Sequence, residues 1–121
     1  EAIFIDDKGF VTEGSSSNIW IINKDNEIIT RDLDGKILSG ITRKTISIFA
    51  KNNNINVIER KFSKTELMQA KEVFLTSASS FVTPIIEIDG HVINDGLVGN
   101  ISNQLRYLYL NNIGNLNHKY A

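Results

Sequence analysis

The sequence contains no cysteine, which excludes disulfides and thiolate metal sites without fixing a redox compartment. No apolar run approaches the roughly 20 residues of a transmembrane helix, and no charged-then-apolar leader opens the chain. Charge of one sign is also missing. Thirteen Lys and Arg stand against 14 Asp and Glu, a net charge of -1. Such a surface offers no field for nucleic acid or an anionic membrane, so neither is expected as a partner. The chain has two histidines: His91 follows a turn and His118 lies near the C-terminus, and both are expected to face solvent. The acids Asp6-Asp7 and Asp32/Asp34 lack the spacing of a calcium loop, so no metal site is expected. By elimination the expected compartment is the cytoplasm.

What is present reads as one domain. The 121 residues are 41% hydrophobic and 22% charged, the composition of a globular chain able to bury a core. No repeat or low-complexity tract interrupts it. Residues 2–5 and 10–13 read as a hairpin about the turn cluster Asp6-Asp7-Lys8-Gly9. Residues 18–23, Asn-Ile-Trp-Ile-Ile-Asn, form a continuous β-branched and aromatic run, consistent with a strand covered on both faces. Residues 27–31 turn back on it, and a polar loop follows over 31–36.

From Ile41 the period changes. Thr42, Ile46, Phe49 and Ala50 share one helical face, and Asn52-Asn53-Asn54 stops the helix. Residues 56–62 are strand-like. Ser63-Lys64-Thr65-Glu66 is a capping box, with Phe62 and Leu67 placed as its hydrophobic staple, opening a short helix to about residue 70. Strands are expected over 72–76 and 82–88, and Asp89-Gly90 is a two-residue turn into residues 91–93. After a loop, Ile101, Leu105, Leu108 and Tyr109 mark a closing helix, with a frayed tail from Asn111. Antiparallel pairs followed by helices interposed between strands predict an α+β domain.

Three loops carry the candidate chemistry. The first is Thr12-Glu13-Gly14-Ser15-Ser16-Ser17-Asn18, an acid followed by small residues between two strands. The second is Ser39-Gly40-Ile41-Thr42 at a helix start, where unpaired amides and the positive dipole end suit a phosphate. The third is residues 76–80, a nest of hydroxyls and amides after a buried strand, also suited to an anion. Each alone also reads as ordinary structure: a solvated strand-end acid, a helix cap, a turn. Together, one acid and two anion seats suit a cofactor with a basic ring and a phosphate. Trp20 reads as core or subunit interface, and Arg43 as structural.

These strings, with Gly40-Ile41-Thr42-Arg43, Glu72-Val73-Phe74-Leu75-Thr76-Ser77 and Thr83-Pro84-Ile85-Ile86-Glu87-Ile88-Asp89-Gly90, resemble the fold-type IV pyridoxal-phosphate aminotransferases. The wording is nearest the D-amino-acid (D-alanine) aminotransferase branch, and the match runs in order from Glu1 to about Leu110. The resemblance implies the C-terminal α/β pseudobarrel domain of that fold and pyridoxal 5'-phosphate as cofactor. It implies that Glu13 pairs with the pyridine nitrogen and that the Ile41 and Thr42 amides hold the phosphate. Leu38 then packs on the ring, Ser77 and Ala78 lie at the phosphate, and Ser79 at the substrate carboxylate.

One departure stands out. Many relatives carry threonine where this chain has Ala78, and its hydroxyl bonds the phosphate; losing such a bond to a charged group costs about 1.5–3 kcal/mol. Ser77 or Ser79 is the available substitute.

The resemblance places the Schiff-base lysine upstream of the glutamate motif, before Glu1, so no catalytic residue is expected within the chain. Lys8, in a turn, has no assigned role. The chain opens within a strand and is expected to be a fragment, residues 1–121 forming a C-terminal cofactor-binding domain without its N-terminal partner, inactive alone. The whole enzyme, a dimer as in the family, would pass the amino group of a D-amino acid such as D-alanine to a 2-oxo acid such as 2-oxoglutarate. Branched-chain aminotransferase, aminodeoxychorismate lyase and a non-catalytic binding module are the alternatives.

Overall fold

A computed structural model describes residues 1–32 and 41–120, with side chains through residue 112. In chain order the described elements are β1 (Ile3–Ile5), β2 (Val11–Gly14), β3 (Asn18–Ile22), β4 (Ile28–Thr30), α1 (Ile41–Asn52), β5 (Val57–Glu59), α2 (Lys64–Met68), β6 (Glu72–Ser77), β7 (Phe81–Ile85), β8 (Glu87–Ile88), β9 (His91–Val92), a short 3-10 helix (Asn94–Gly96) and α3 (Asn100–Tyr120).

Alternation decides the architecture. Every residue of β3 is buried, and its odd and even positions part to opposite faces. Trp20 and Ile22 join a core with Phe74, Ile46 and Leu105. Ile19 and Ile21 join a second core with Val73, Val11, Phe62 and Leu67. Helices α1 and α3 thus cover one face of the sheet, and the β1–β2 hairpin with α2 covers the other.

Five strands form that sheet in the order β5-β4-β3-β6-β7. All neighbours are antiparallel except β4 and β5, which run parallel. A parallel pair needs a crossover, and α1 lies within it. The class is α+β with a mixed sheet, as the pattern predicts.

Local signals translate well. The Ser63 hydroxyl accepts from the Glu66 amide at 3.1 Å and the Glu66 carboxylate accepts from the Ser63 amide at 3.2 Å, the reciprocal bonds of a capping box. Phe62 and Leu67, the staple pair, are both buried. Asp89 (φ 49°) and Gly90 (φ 78°) supply the two left-handed residues of the β8–β9 turn.

Three expectations need correction. The strand at 56–62 is regular only over Val57–Glu59, the part that pairs with β4. The strand at 82–88 divides at Ile86, because β7 stays on β6 while β8 turns away to pair with β9. The tail does not fray at Asn111: α3 continues to Tyr120. Asn111 and Asn112 donate their side-chain amides to the carbonyls of Tyr107 and Leu108 four residues back, at 3.0 and 2.7 Å, so they work within the helix. Among the described residues no helix is long and apolar enough to cross a membrane.

The start of α3 is held by a side chain from the sheet. Glu72, 3% exposed, accepts from the Ile101 amide (3.3 Å), the Ser102 amide (2.8 Å) and the Ser102 hydroxyl (2.8 Å). A carboxylate there satisfies orphan helix amides and meets the positive end of the dipole. Gly99 makes the room, since a Cβ would collide with the Glu72 carboxylate. Glu72→Ala is therefore expected to destabilise the protein by about 2–3 kcal/mol in urea unfolding; a loss under about 0.5 kcal/mol would contradict this capping role.

Candidate active site

The serine string forms a tight turn between β2 and β3. The Gly14 amide donates to the Ser17 carbonyl at 2.9 Å, and the Ser17 hydroxyl donates to the Glu1 carboxylate. A Cβ on Gly14 would meet the ends of both side chains, which would have to move aside. The turn sets half-buried Glu13, at the end of β2, beside the start of β3.

Antiparallel register brings the second segment. Asn18 lies opposite Thr76, so the end of β6 and the turn at Ala78 flank the start of β3. The third segment is pinned to the second, because the Thr42 hydroxyl donates to the Ser77 carbonyl at 3.3 Å. Residues 13–18, 41–43 and 76–78 together line one cleft of about 340 Å³.

The predicted residues therefore meet for the most part. Glu13, Ile41, Thr42, Ser77 and Ala78 share the cleft. Ser79 is exposed in the turn beyond Ala78 and is not part of the lining. Leu38 lies outside the described residues. Among the described residues no lysine lines the cleft. A larger cleft of about 530 Å³, between residues 1–3 and 84–89, brings together none of the three segments.

The cleft lining carries two kinds of group. One is the Glu13 carboxylate. The other is the first amides of α1, which have no partner within the helix, with the Ser77 hydroxyl. Ile41 is 81% exposed, so its backbone amide is what it brings to the helix start. The Ser77 oxygen accepts from the Ser80 amide at 3.0 Å, which leaves its proton free to donate. An acid together with amides and hydroxyls in one cleft fits a molecule bearing a basic nitrogen and a phosphate. The volume lies within the range of about 300–1,000 Å³ usual for such ligands.

The wall behind the cleft is polar and buried. Trp20, stacked on Phe74 at 5.4 Å, donates its indole N–H to the Thr76 hydroxyl at 2.9 Å; of core and subunit interface, the two expected places, it occupies the core. Arg43, 2% exposed, donates to the Arg31 carbonyl at 2.6 Å and the Thr30 hydroxyl at 3.4 Å. Its guanidinium lies 3.6 Å from Glu59 and 5.7 Å from the Trp20 ring centroid. Burial pushes its pKa down, and Glu59 opposes that shift. The structural reading of Arg43 agrees with these contacts.

Arg31 was missed. Assigned to the polar loop, it is 1% exposed, donating to the Val11 carbonyl at 3.1 Å and lying 3.4 Å from Asp6. A charged residue at a strand end gives no local signal of burial; its partners come from the β1–β2 turn, β2 and α1. His91 is exposed, as expected, although one ring nitrogen lies 2.8 Å from the Met68 carbonyl. The side chain of His118 lies outside the described residues.

The described domain is α+β, with strand ends and a helix start lining one cleft. Residues 1–88 match the family Amino-transferase class IV, and the chain belongs to it. It is 43% identical over 112 residues (92% of this chain) to a probable branched-chain-amino-acid aminotransferase of Aquifex aeolicus. It is 48% identical over 96 residues (79% of this chain) to a D-alanine aminotransferase of Staphylococcus aureus. It spans 36% and 34% of those relatives' lengths, about a third. Among solved structures, the branched-chain aminotransferase of Thermoproteus uzoniensis with norvaline superposes at a TM-score of 0.84 and 37% identity, covering 90% of this chain and 35% of that one. The branched-chain amino acid aminotransferase of Escherichia coli gives 0.86 at 28% identity, covering 90% and 36%. A further branched-chain aminotransferase, solved with pyridoxamine 5'-phosphate, gives 0.85 at 34% identity, covering 91% and 36%.

Acid sensitivity follows from two carboxylates. The Phe10 amide, above all, and then the Lys8 amide and Arg31 hold Asp6 below its usual 3.8, against the opposing effect of burial. Arg60 holds Glu66 below its usual 4.5. Both contributions are complete above those ordinary values and are lost as pH falls through the lower folded ones. Urea unfolding is expected to show stability declining below about pH 4.5. The double variant Asp6→Asn, Glu66→Gln is expected to flatten that decline. An unchanged acid limb would contradict the assignment.

Proposed function

We propose that residues 1–121 form the C-terminal, cofactor-binding domain of a pyridoxal 5'-phosphate-dependent aminotransferase. The observation that carries this reading is the shared cleft of Glu13 and the α1 start, in a chain of the class IV family. When bound, the cofactor would supply an electron sink for charge developing on the amino acid's α-carbon. Glu13 would hold a proton on the pyridine nitrogen. The Ile41 and Thr42 amides, with the helix dipole, would hold the phosphate. The Ser77 hydroxyl, its proton free, would replace the threonine hydroxyl that Ala78 lacks, beside the Ala78 amide. Leu38 would pack on the ring and Ser79 would meet the substrate carboxylate. The linking lysine would come from a segment outside the described residues.

For the substrate, we read a D-amino acid as donor and a 2-oxo acid as acceptor. The identity of 48% to the Staphylococcus aureus D-alanine aminotransferase supports it, as does the triple serine after Glu13. The branched-chain reading has its own support in the longer match, 112 residues, to the Aquifex aeolicus relative. The full-length protein is expected to transaminate D-alanine with 2-oxoglutarate. Activity on L-leucine without activity on D-alanine would transfer the assignment to the branched-chain reading. In the same protein Glu13→Gln is expected to lower kcat by about 10²-fold, the scale of losing one preorganised charge-stabilising group, with an unchanged thermal midpoint. Unchanged turnover would remove Glu13 from the mechanism.

A further inference from the structure

We infer that Arg31 and Arg43 form a buried bracket fixing the spacing between the Glu13 strand and the start of α1. Both are positioning residues for a ligand that touches both Glu13 and the helix start. The inference rests on the cofactor-binding reading above.

Two arginines at 1% and 2% exposure are costly unless each guanidinium is paired. Their partners are not scattered. Arg31 donates to the Val11 carbonyl at 3.1 Å, two residues before Glu13 in β2. It also reaches Asp6 in the turn leading to that strand, at 3.4 Å. Its own carbonyl accepts from Arg43 at 2.6 Å. Arg43 follows Thr42 in the first turn of α1, and Thr42 is bonded to the end of β6.

The path from β2 through Arg31 and Arg43 to the helix start is therefore continuous. Glu13 at the β2 side of this path and Ile41 and Thr42 at its α1 side line one cleft. The rest of the Arg43 fork is anchored on β4 and β5, at Thr30 and Glu59, which lie opposite each other in the parallel pair. With its guanidinium directed to these partners, Arg43 acts through placement.

Placement matters most to a ligand held at two points. If the helix start shifts relative to Glu13, a two-ended ligand must give up contact at one end, and shifts of about 1 Å are felt strongly. An anion held only at the helix start loses little.

The test compares two ligands on the full-length apoprotein. Arg31→Lys and Arg43→Lys keep the charge but lose the planar fork that spans separate acceptors. Dissociation constants are measured for pyridoxal 5'-phosphate and for inorganic phosphate, alongside thermal melts. Each variant is expected to weaken pyridoxal 5'-phosphate by about tenfold or more and inorganic phosphate by less than about threefold. Equal weakening of both ligands, or no change in either, would overturn the bracket. If either lysine variant is recovered unfolded, Asp6→Asn carries the test. It removes the charge paired with Arg31 while keeping an oxygen for the Lys8 and Phe10 amides, and the same selective pattern is expected at about threefold. Failure of the wild-type protein to bind pyridoxal 5'-phosphate would overturn the cofactor reading and the bracket together. Normal wild-type binding with unaltered variants overturns the bracket alone.

Discussion

β3 buries both of its faces, and each face needs its own cover. Trp20 and Ile22 draw α1 and α3 to one side, while Ile19 and Ile21 draw the first hairpin and α2 to the other. Since side chains alternate, a slip of one residue would exchange the two sets. The antiparallel register with β6, Asn18 opposite Thr76 through Ile22 opposite Glu72, is thereby fixed from both sides. What lies at the two ends of this strand pair follows. At one end Glu72 reaches the amides of α3; at the other, the serine turn and the end of β6 open onto the cleft.

The cleft is a by-product of sheet geometry, shaped by a few polar anchors. Loops at strand ends are free of the packing that fixes strand interiors, so functional groups gather there. Here the Gly14–Ser17 backbone bond closes the tight turn, Thr42 ties α1 to β6, and the two buried arginines connect β2, β4, β5 and α1. Their ionic partners, Asp6, Asp32 and Glu59, sit at the rim of the core, so the charge enters the interior only with compensation. On the proposed reading, this buried network holds Glu13 and the helix start of the cofactor seat at a set separation.

Much of this was legible in the residues. The β-branched run at 18–23, the reciprocal pair Ser63 and Glu66 and the turn Asp89-Gly90 are local signals with local causes, and each appears as read. The three segments that meet at the cleft were also picked out, because an acid before glycine and serines, and a glycine before a helix, are unusual at strand ends. What escaped depends on partners distant in sequence. The parallel pairing of β4 and β5 depends on a crossover, and the split at Ile86 on β9. The burial of Arg31 depends on Val11 and Arg43. Glu72 looked like the first residue of a strand, and nothing near it announces a helix thirty residues away.

The central claim is that Glu13 meets a pyridine nitrogen and keeps it protonated. It is tested most directly by the 15N chemical shift of ring-labelled pyridoxal 5'-phosphate bound to the full-length protein. The account predicts the shift of a protonated pyridine, persisting above the pH at which the free cofactor loses that proton, and its disappearance in Glu13→Gln. A bound cofactor with an unprotonated nitrogen across that range, or one whose shift is indifferent to Glu13→Gln, would contradict it.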